Sequence, residues 1–434
     1  MKLRFGALSL AALVAAPSFA DDSFEFHGYF RSGIGSSDAG TDQVCYKLPR
    51  GHGNVFRFGN ECGMYGEISL QKHFKGKSET DPWFMADVTW AFASPSDDAY
   101  EEIGEEATFW HVQTFVEAGN LIGNGSKIWI GKRFYERRGV GINDLWYIES
   151  RGPGAGAYDI PLGPGTFDFA VFRNTKEDHP VQTTVDVRYD LNLGYGSLET
   201  VLMMGSSSNR HNETGDDAFE PLKGESITLT HSFDKKSIAN KFVVQYGTGL
   251  FGAIPSVGEG TTLNEWNNIE AVAKGQKEAK KYREESSSMR IIDEISYTTE
   301  DYALVAAFTH LTASFGGVKD ASGQEVEDRT VTSFAIRPYY FFNENYAVAF
   351  DAGTETIKNP WSTAEGQALK KDWTLTKYTL AFNIRPAKGW DSRPELRFFA
   401  TQANWNDDAK GIAPSSNYTG TDGFSVGAQA EVWW

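Results

Sequence analysis

Three pairs of residues have the types and spacing to handle a polyhydroxylated solute. Tyr29 with Arg31, Tyr65 with Glu67, and Trp433 with Glu431 each place an aromatic ring two residues from a charge. In an extended strand, residues two apart share one face of the sheet. The ring stacks on the apolar face of a pyranose, and the neighbouring carboxylate or guanidinium reaches the hydroxyls at its rim. A path for such solutes needs many shallow sites rather than one deep one, because flux requires release as well as capture. The same residues also serve as plain wall filling, and the pattern alone leaves both readings open.

These pairs need strands to carry them, and the chain reads as a long series of period-2 segments with turn chemistry between them. In the last segment Phe424, Val426, Ala428, Ala430, Val432 and Trp434 are apolar on one face, while Ser425, Gly427, Gln429, Glu431 and Trp433 occupy the other. Phe24, Phe26 and Phe30 alternate likewise with Glu25, His27, Tyr29 and Arg31. Met64, Gly66, Ile68 and Leu70 stand against Tyr65, Glu67, Ser69 and Gln71. Tyr346, Val348, Phe350 and Ala352 alternate with Ala347, Ala349, Asp351 and Gly353, and Tyr378, Leu380, Phe382 and Ile384 with Lys377, Thr379, Ala381 and Asn383. An apolar face toward lipid and a mixed face toward a lumen is the arrangement of a transmembrane barrel.

Connections come in two kinds, as an up-and-down barrel requires. Short ones are 342–345, 76–82 and 386–390; long ones are 36–61, 251–286 and 405–423. Tyr339, Tyr340, Phe341 and Phe342, beside a short turn, read as part of an interfacial aromatic girdle. The charged stretch 274–285 reads as a solvated part of its long loop. The segments number roughly eighteen, a size that leaves an aqueous channel. The predicted fold class is therefore all-β, a transmembrane up-and-down antiparallel barrel forming a single domain over 21–434.

The compartment follows from the N-terminus. Lys2 and Arg4, an apolar run from Phe5 to Ala16, Pro17, and then Ser18-Phe19-Ala20 read as a signal peptide over 1–20. No later apolar run approaches the roughly 18 residues of a transmembrane helix, so a membrane location demands a closed barrel. The formal net charge of −17 argues against nucleic acid as a partner. The two cysteines, Cys45 and Cys62, are expected to pair as a disulfide in an oxidising compartment, pinning the first long loop. No HExxH, P-loop or paired CxxC motif occurs, and no cofactor, metal or enzymatic activity is expected.

Several motifs resemble the maltoporin family of trimeric sugar porins. Phe26 to Gly33 (FHGYFRSG) is similar to the family's opening strand, and Phe56 to Cys62 (FRFGNEC) to the segment closing its cysteine loop. Ile128 to Arg137 (IWIGKRFYER), Arg151 to Gly156 (RGPGAG), Lys241 to Tyr246 (KFVVQY) and Glu431 to Trp434 (EVWW) match too. Trp390 to Thr401 (WDSRPELRFFAT) matches with one extra residue. The resemblance runs from first strand to last. It implies an eighteen-stranded homotrimer, multi-pass in the bacterial outer membrane among its lipid and lipopolysaccharide, conducting maltodextrins or another oligosaccharide. It also implies a third loop, about Tyr135 to Gly156, folded inward as the constriction. The family's aromatic strip falls on Tyr29, Tyr65, Trp390 and Trp433, with Trp146 at the constriction and Tyr100 near the loop that reaches a neighbouring channel. Its polar tracks fall on Arg31, Arg57, Glu67, Arg137 and Asp144.

The sequence departs from that pattern at three places. Ala239 stands where the family has a strip phenylalanine, Tyr100 replaces a tryptophan, and one track arginine, near His111 or Val112, is unmatched. The acidic cluster Asp97, Asp98, Glu101, Glu102, Glu105 and Glu106 around Tyr100 reads as a solvated loop tip, with a divalent-cation site as the alternative. A non-selective diffusion porin on the same scaffold is the competing function. A secreted all-β glycosidase or lectin is a third, disfavoured by strands that are apolar on one side only.

Overall fold

The computed structural model describes residues 23–40, 43–48, 51, 56–94, 107–123, 125–174, 182–207, 210–211, 217–219, 221–252, 284–317, 325–360, 372–411, 418 and 420–434. The leader expected over 1–20, Tyr100 with its acidic cluster, and most of the charged stretch 274–285 lie outside the described residues.

The chain opens with β1 (Phe24–Ser37), β2 (Met64–Phe74), β3 (Trp83–Ser94), β4 (Thr108–Gly119) and β5 (Lys127–Val140). It continues through β6 (Leu145–Leu162), β7 (Gly165–Asn174), β8 (Gln182–Asn192) and β9 (Ser197–Ser207). A separate small hairpin follows, β10 (Arg210–His211) with β11 (Asp217–Phe219). Next come β12 (Lys223–Lys235), β13 (Ile238–Gly249), β14 (Ser287–Thr298), β15 (Tyr302–Ser314) and β16 (Arg329–Phe341). The chain ends on β17 (Tyr346–Lys358), β18 (Asp372–Ile384), β19 (Glu395–Trp405) and β20 (Asp422–Trp433). All but the small hairpin form one eighteen-stranded antiparallel sheet. It closes because β1 pairs with both β2 and β20, with Tyr29 opposite Glu67 on one side and Trp433 on the other. Closure leaves no unpaired edge in the bilayer.

The alternation read from the sequence is the alternation of the wall. Along β17, Ala347, Ala349, Asp351 and Glu355 are buried toward the interior, while Tyr346 and Phe350 are exposed outward. The aromatic run beside the 342–345 turn needs a correction. Tyr340 and Phe342 point outward as girdle residues, but Tyr339 and Phe341 are buried inside with Phe58 and Phe399. A period of two divides four consecutive aromatics between the two faces. Girdle neighbours come instead from adjacent strands, with Tyr302 5.2 Å from Tyr340 between ring centroids.

The core of the molecule lies in the lumen, where two elements fold inward. The first is the described part of the connection between β1 and β2, closed by the Cys45–Cys62 disulfide. Tyr46 and Leu48 pack on inward side chains of β15–β19. The Phe58 ring sits between the guanidiniums of Arg337 and Arg397, each 3.8 Å from its centroid. The buried Lys377 ammonium donates to the carbonyls of Phe56 and Phe58, so a charge taken from water keeps partners. Gln429 and Thr379 add bonds to the carbonyls of Glu61 and Phe58.

The second is the connection between β5 and β6. It was expected as a loop over about Tyr135 to Gly156, but it is strand almost throughout. Pairing continues to Val140 opposite Leu145, and only 141–144 turn. Register shifts between Tyr135 and Arg138 and between Arg138 and Gly139, with positive φ at Glu136 (43°), mark bulges that bend the hairpin away from the wall. Its tip reaches the far side of the barrel. Asn143 donates to Ser333 Oγ of β16 (3.2 Å), and Gly141 N to Glu294 of β14 (3.2 Å). Lys241 and Gln245 of β13 hold the carbonyls of Gly139 (2.7 Å) and Tyr147 (2.8 Å).

Candidate functional site

The two inward elements touch, Arg57 N donating to Ile142 O (3.3 Å), and a cavity of about 590 Å³ remains between them and the β1–β4 wall. Ten of the residues singled out in the sequence line it, Glu431 of β20 among them. Tyr29, Arg31, Tyr65 and Glu67 come from β1 and β2, Trp433 from β20, and Arg57 from the first loop. Arg137, Asp144 and Trp146 come from the hairpin. Trp390 does not join them. It sits in the turn between β18 and β19 and lines a second cavity of about 950 Å³ with Lys241, Glu294 and Ala239. Tyr100 lies outside the described residues.

Rings follow one another along the wall. Tyr29 and Tyr65 are 6.0 Å apart between centroids, and Tyr65 and Trp110 are 6.1 Å apart. Across the cavity the Arg137 guanidinium lies over both Phe134 (3.8 Å) and Trp146 (4.3 Å). That cation is therefore held flat between two rings rather than free to swing. The Arg393 guanidinium covers one face of Trp433 at 4.4 Å.

The charges form a connected series. Arg31 pairs with Glu61 (3.2 Å), Arg57 with both Glu61 and Glu431 (2.7 Å each), and Arg393 with Glu431 (2.7 Å). Arg397 then links Glu431 (3.3 Å) to Glu395 (2.5 Å), and Arg385 pairs with Glu395. Burial acts to lower the Arg57 pKa, but Glu61, Glu431 and Asp144 outweigh it and hold the guanidinium well above its usual value. The Tyr29 hydroxyl donates to Glu431 (3.1 Å), and that of Tyr65 to Glu67. Paired this way, the polar groups keep fixed positions while presenting spare donors and acceptors to the cavity.

Sequence reasoning missed Trp110, Val112, Lys132, Phe134, Glu149 and Arg151, which also line the cavity. Glu149 pairs with Arg151 (3.0 Å) and Arg137 (4.0 Å). A bulge between β3 and β4 hid Trp110 and Val112, and the departure of the hairpin from the wall hid the others. Arg133, on the hairpin's other face, is buried at its root. Its guanidinium pairs with Glu117 (2.9 Å) and lies 4.3 Å from the Phe115 ring, 5.2 Å from Trp129, 5.8 Å from Tyr135 and 5.6 Å from Tyr158. The Tyr158 hydroxyl donates to the same carboxylate (2.5 Å).

Among solved structures, OpdK of Pseudomonas aeruginosa, determined with vanillate, is similar at 9% identity, over 95% of this chain and 99% of that one, with a TM-score of 0.49. OccAB1 of Acinetobacter baumannii is similar at 9% identity, over 94% and 96% of the two chains, with a TM-score of 0.49. OmpT of Vibrio cholerae, in a trimer form, is similar at 9% identity, over 95% and 99%, with a TM-score of 0.40. Likeness of this degree adds nothing to the reading of the site. The family comparison is decisive, because the LamB porin model matches residues 24–434, from the first strand of the closed barrel to its last residue. The chain belongs to the LamB porin family and is a multi-pass β-barrel porin of the outer membrane.

Proposed function

We propose that the channel conducts oligosaccharides selectively, by facilitated diffusion along the aromatic strip and its flanking charges. One observation carries this reading. The same cavity brings the rings of Tyr29, Tyr65, Trp146 and Trp433 against Arg31, Arg57, Glu67, Arg137 and Asp144. Rings offer stacking planes to one face of a pyranose, and the paired charges offer bonds to its hydroxyls. Each contact is shallow, so a sugar moves by exchanging one for the next. The protein works as a channel and not an enzyme. Residues 1–20 serve as its export signal, and lipid and lipopolysaccharide surround its outer face.

Planar-bilayer conductance with maltose, maltotriose, sucrose, chitobiose and cellobiose tests the reading. Concentration-dependent block of the ion current by at least one of them is expected, with different half-blocking concentrations across the panel. An ion current that no sugar blocks would replace this proposal with a general diffusion porin.

The assembly we propose is a cyclic homotrimer, as the family resemblance implies, stable in detergent at room temperature. Unheated samples should migrate on a denaturing gel as an assembly larger than the boiled chain. Crosslinking and light scattering that both return a single chain from folded material would refute the trimer.

A further inference from the structure

We propose that Trp110 builds a binding subsite at the long-loop mouth of the channel, the outermost stacking plane among the described residues. The inference rests on the sugar-channel reading above and assigns to it a residue that alternation would send to the lipid.

The placement comes from a β-bulge. In the lower part of β4, Glu117, Phe115 and Gln113 stand opposite Met85, Asp87 and Thr89 of β3 and face inward. Strict alternation would carry His111 and Phe109 inward next and turn Trp110 outward. The ladder instead steps from Thr89 opposite Gln113 to Trp90 opposite His111, leaving Val112 as the extra residue. One extra residue reverses the faces of everything beyond it. Trp110 then stands opposite inward-facing Ala91 and lines the cavity, while Phe109 is turned out at 51% exposure.

Three further observations make this a subsite rather than a stray ring. Trp110 continues the row of Tyr29 and Tyr65 with nearly the same spacing, 6.1 Å after 6.0 Å. It stands near the start of β4, where β2 begins and β3 ends, so it occupies the rim of the long connections. A smaller cavity of about 290 Å³ opens at that rim, lined by Gly63, Met64, Ser94 and Thr108, and shares Arg31 and Tyr65 with the main one. A solute leaving this rim cavity passes Tyr65 with Trp110 beside it. Three rings in series suit a linear chain of three pyranoses. Among the described residues, the plane nearest that rim is thus supplied by the same chain that forms the pore.

Single-sided addition of maltotriose to channels in a planar bilayer tests the proposal. In Trp110→Ala the association rate from the long-loop side should fall several-fold, up to about tenfold, as expected for one lost stacking plane. The rate from the opposite side should stay near the parent value. Trp110→Phe should restore most of the loss, and Phe109→Ala should block like the parent. Parent-like rates in Trp110→Ala, alongside weaker block in Trp433→Ala, would overturn the subsite and leave the sugar reading standing. An equal fall from both sides with altered open-channel current would also overturn it, marking Trp110 as structural. A parent that no sugar blocks would take down both.

Discussion

Replacing Arg133 by methionine is expected to free the β5–β6 hairpin while the barrel stays closed. Arg133 and Glu117 are both buried, at 11% and 7% side-chain exposure, and the aromatic shell around them admits little water. The substitution leaves the Glu117 carboxylate with the Tyr158 hydroxyl as its remaining side-chain partner. Breaking one half of a buried ion pair costs about 3–5 kcal/mol. The strand ladders elsewhere are untouched, so the loss falls on the root from which the hairpin springs. Residues 132–151 of that hairpin supply much of one cavity wall, including Arg137, Asp144 and Trp146. Open-channel conductance should therefore rise and become noisier, and half-block by sugar should need a higher concentration. Pairing the change with Glu117→Gln removes the uncompensated charge. Because Gln leaves no buried charge unpaired and keeps an acceptor for the Tyr158 hydroxyl, the double variant should recover much of the parent behaviour. Parent-like conductance and block in Arg133→Met would show that the pair does not hold the hairpin.

Trp433→Ala and Trp434→Ala should separate transport from assembly, although the two residues are adjacent. Trp433 lines the cavity, with Arg393 over one face and Tyr29 opposite it in register. Trp434 lies on the outer face between Phe26 and Phe30, with ring centroids 5.4 and 6.4 Å away, over Gly28. Any Cβ at Gly28 would run into that ring, so the final residue closes the barrel seam against a strand that has made room for it. Loss of Trp433 removes one stacking interaction of about 0.5–1.5 kcal/mol, so sugar affinity should fall several-fold, about tenfold at most. Ion conductance should hold or rise slightly. Loss of Trp434 should lower the yield of assembled channels and leave sugar block of those that form unchanged. If both variants block as the parent does, the aromatic path is the wrong account of the channel.

Much of the barrel was legible in the sequence because a strand's face assignment is local. The pleat repeats every two residues, so Tyr29 with Arg31, Tyr65 with Glu67 and Glu431 with Trp433 could be placed on the inner face before any pairing was known. Cys45 and Cys62 were readable as a pair because there are only two cysteines, and the structure joins them. Trp110 was not legible because one residue inserted opposite Thr89 and Trp90 reverses the faces beyond it. Phe134 was not because β5 leaves the wall where its pairing with β4 ends at Lys132, so its outward face meets the cavity. The four consecutive aromatics 339–342 suggest a girdle by composition, but the period of two turns Tyr339 and Phe341 inward.

By itself the sequence determined a closed β-barrel with an apolar outside, a mixed inside and aromatic–charge pairs turned to the lumen. Only the tertiary structure decided what those pairs meet. The bond from Arg57 to Glu431 joins residues 374 apart in the chain, and Arg133 finds Glu117 because β4 and β5 are neighbours. Such contacts depend on barrel closure and on the bulges that turn a hairpin across the lumen. No local periodicity encodes them, because they arise from where distant strands come to lie rather than from the order of residues along any one of them.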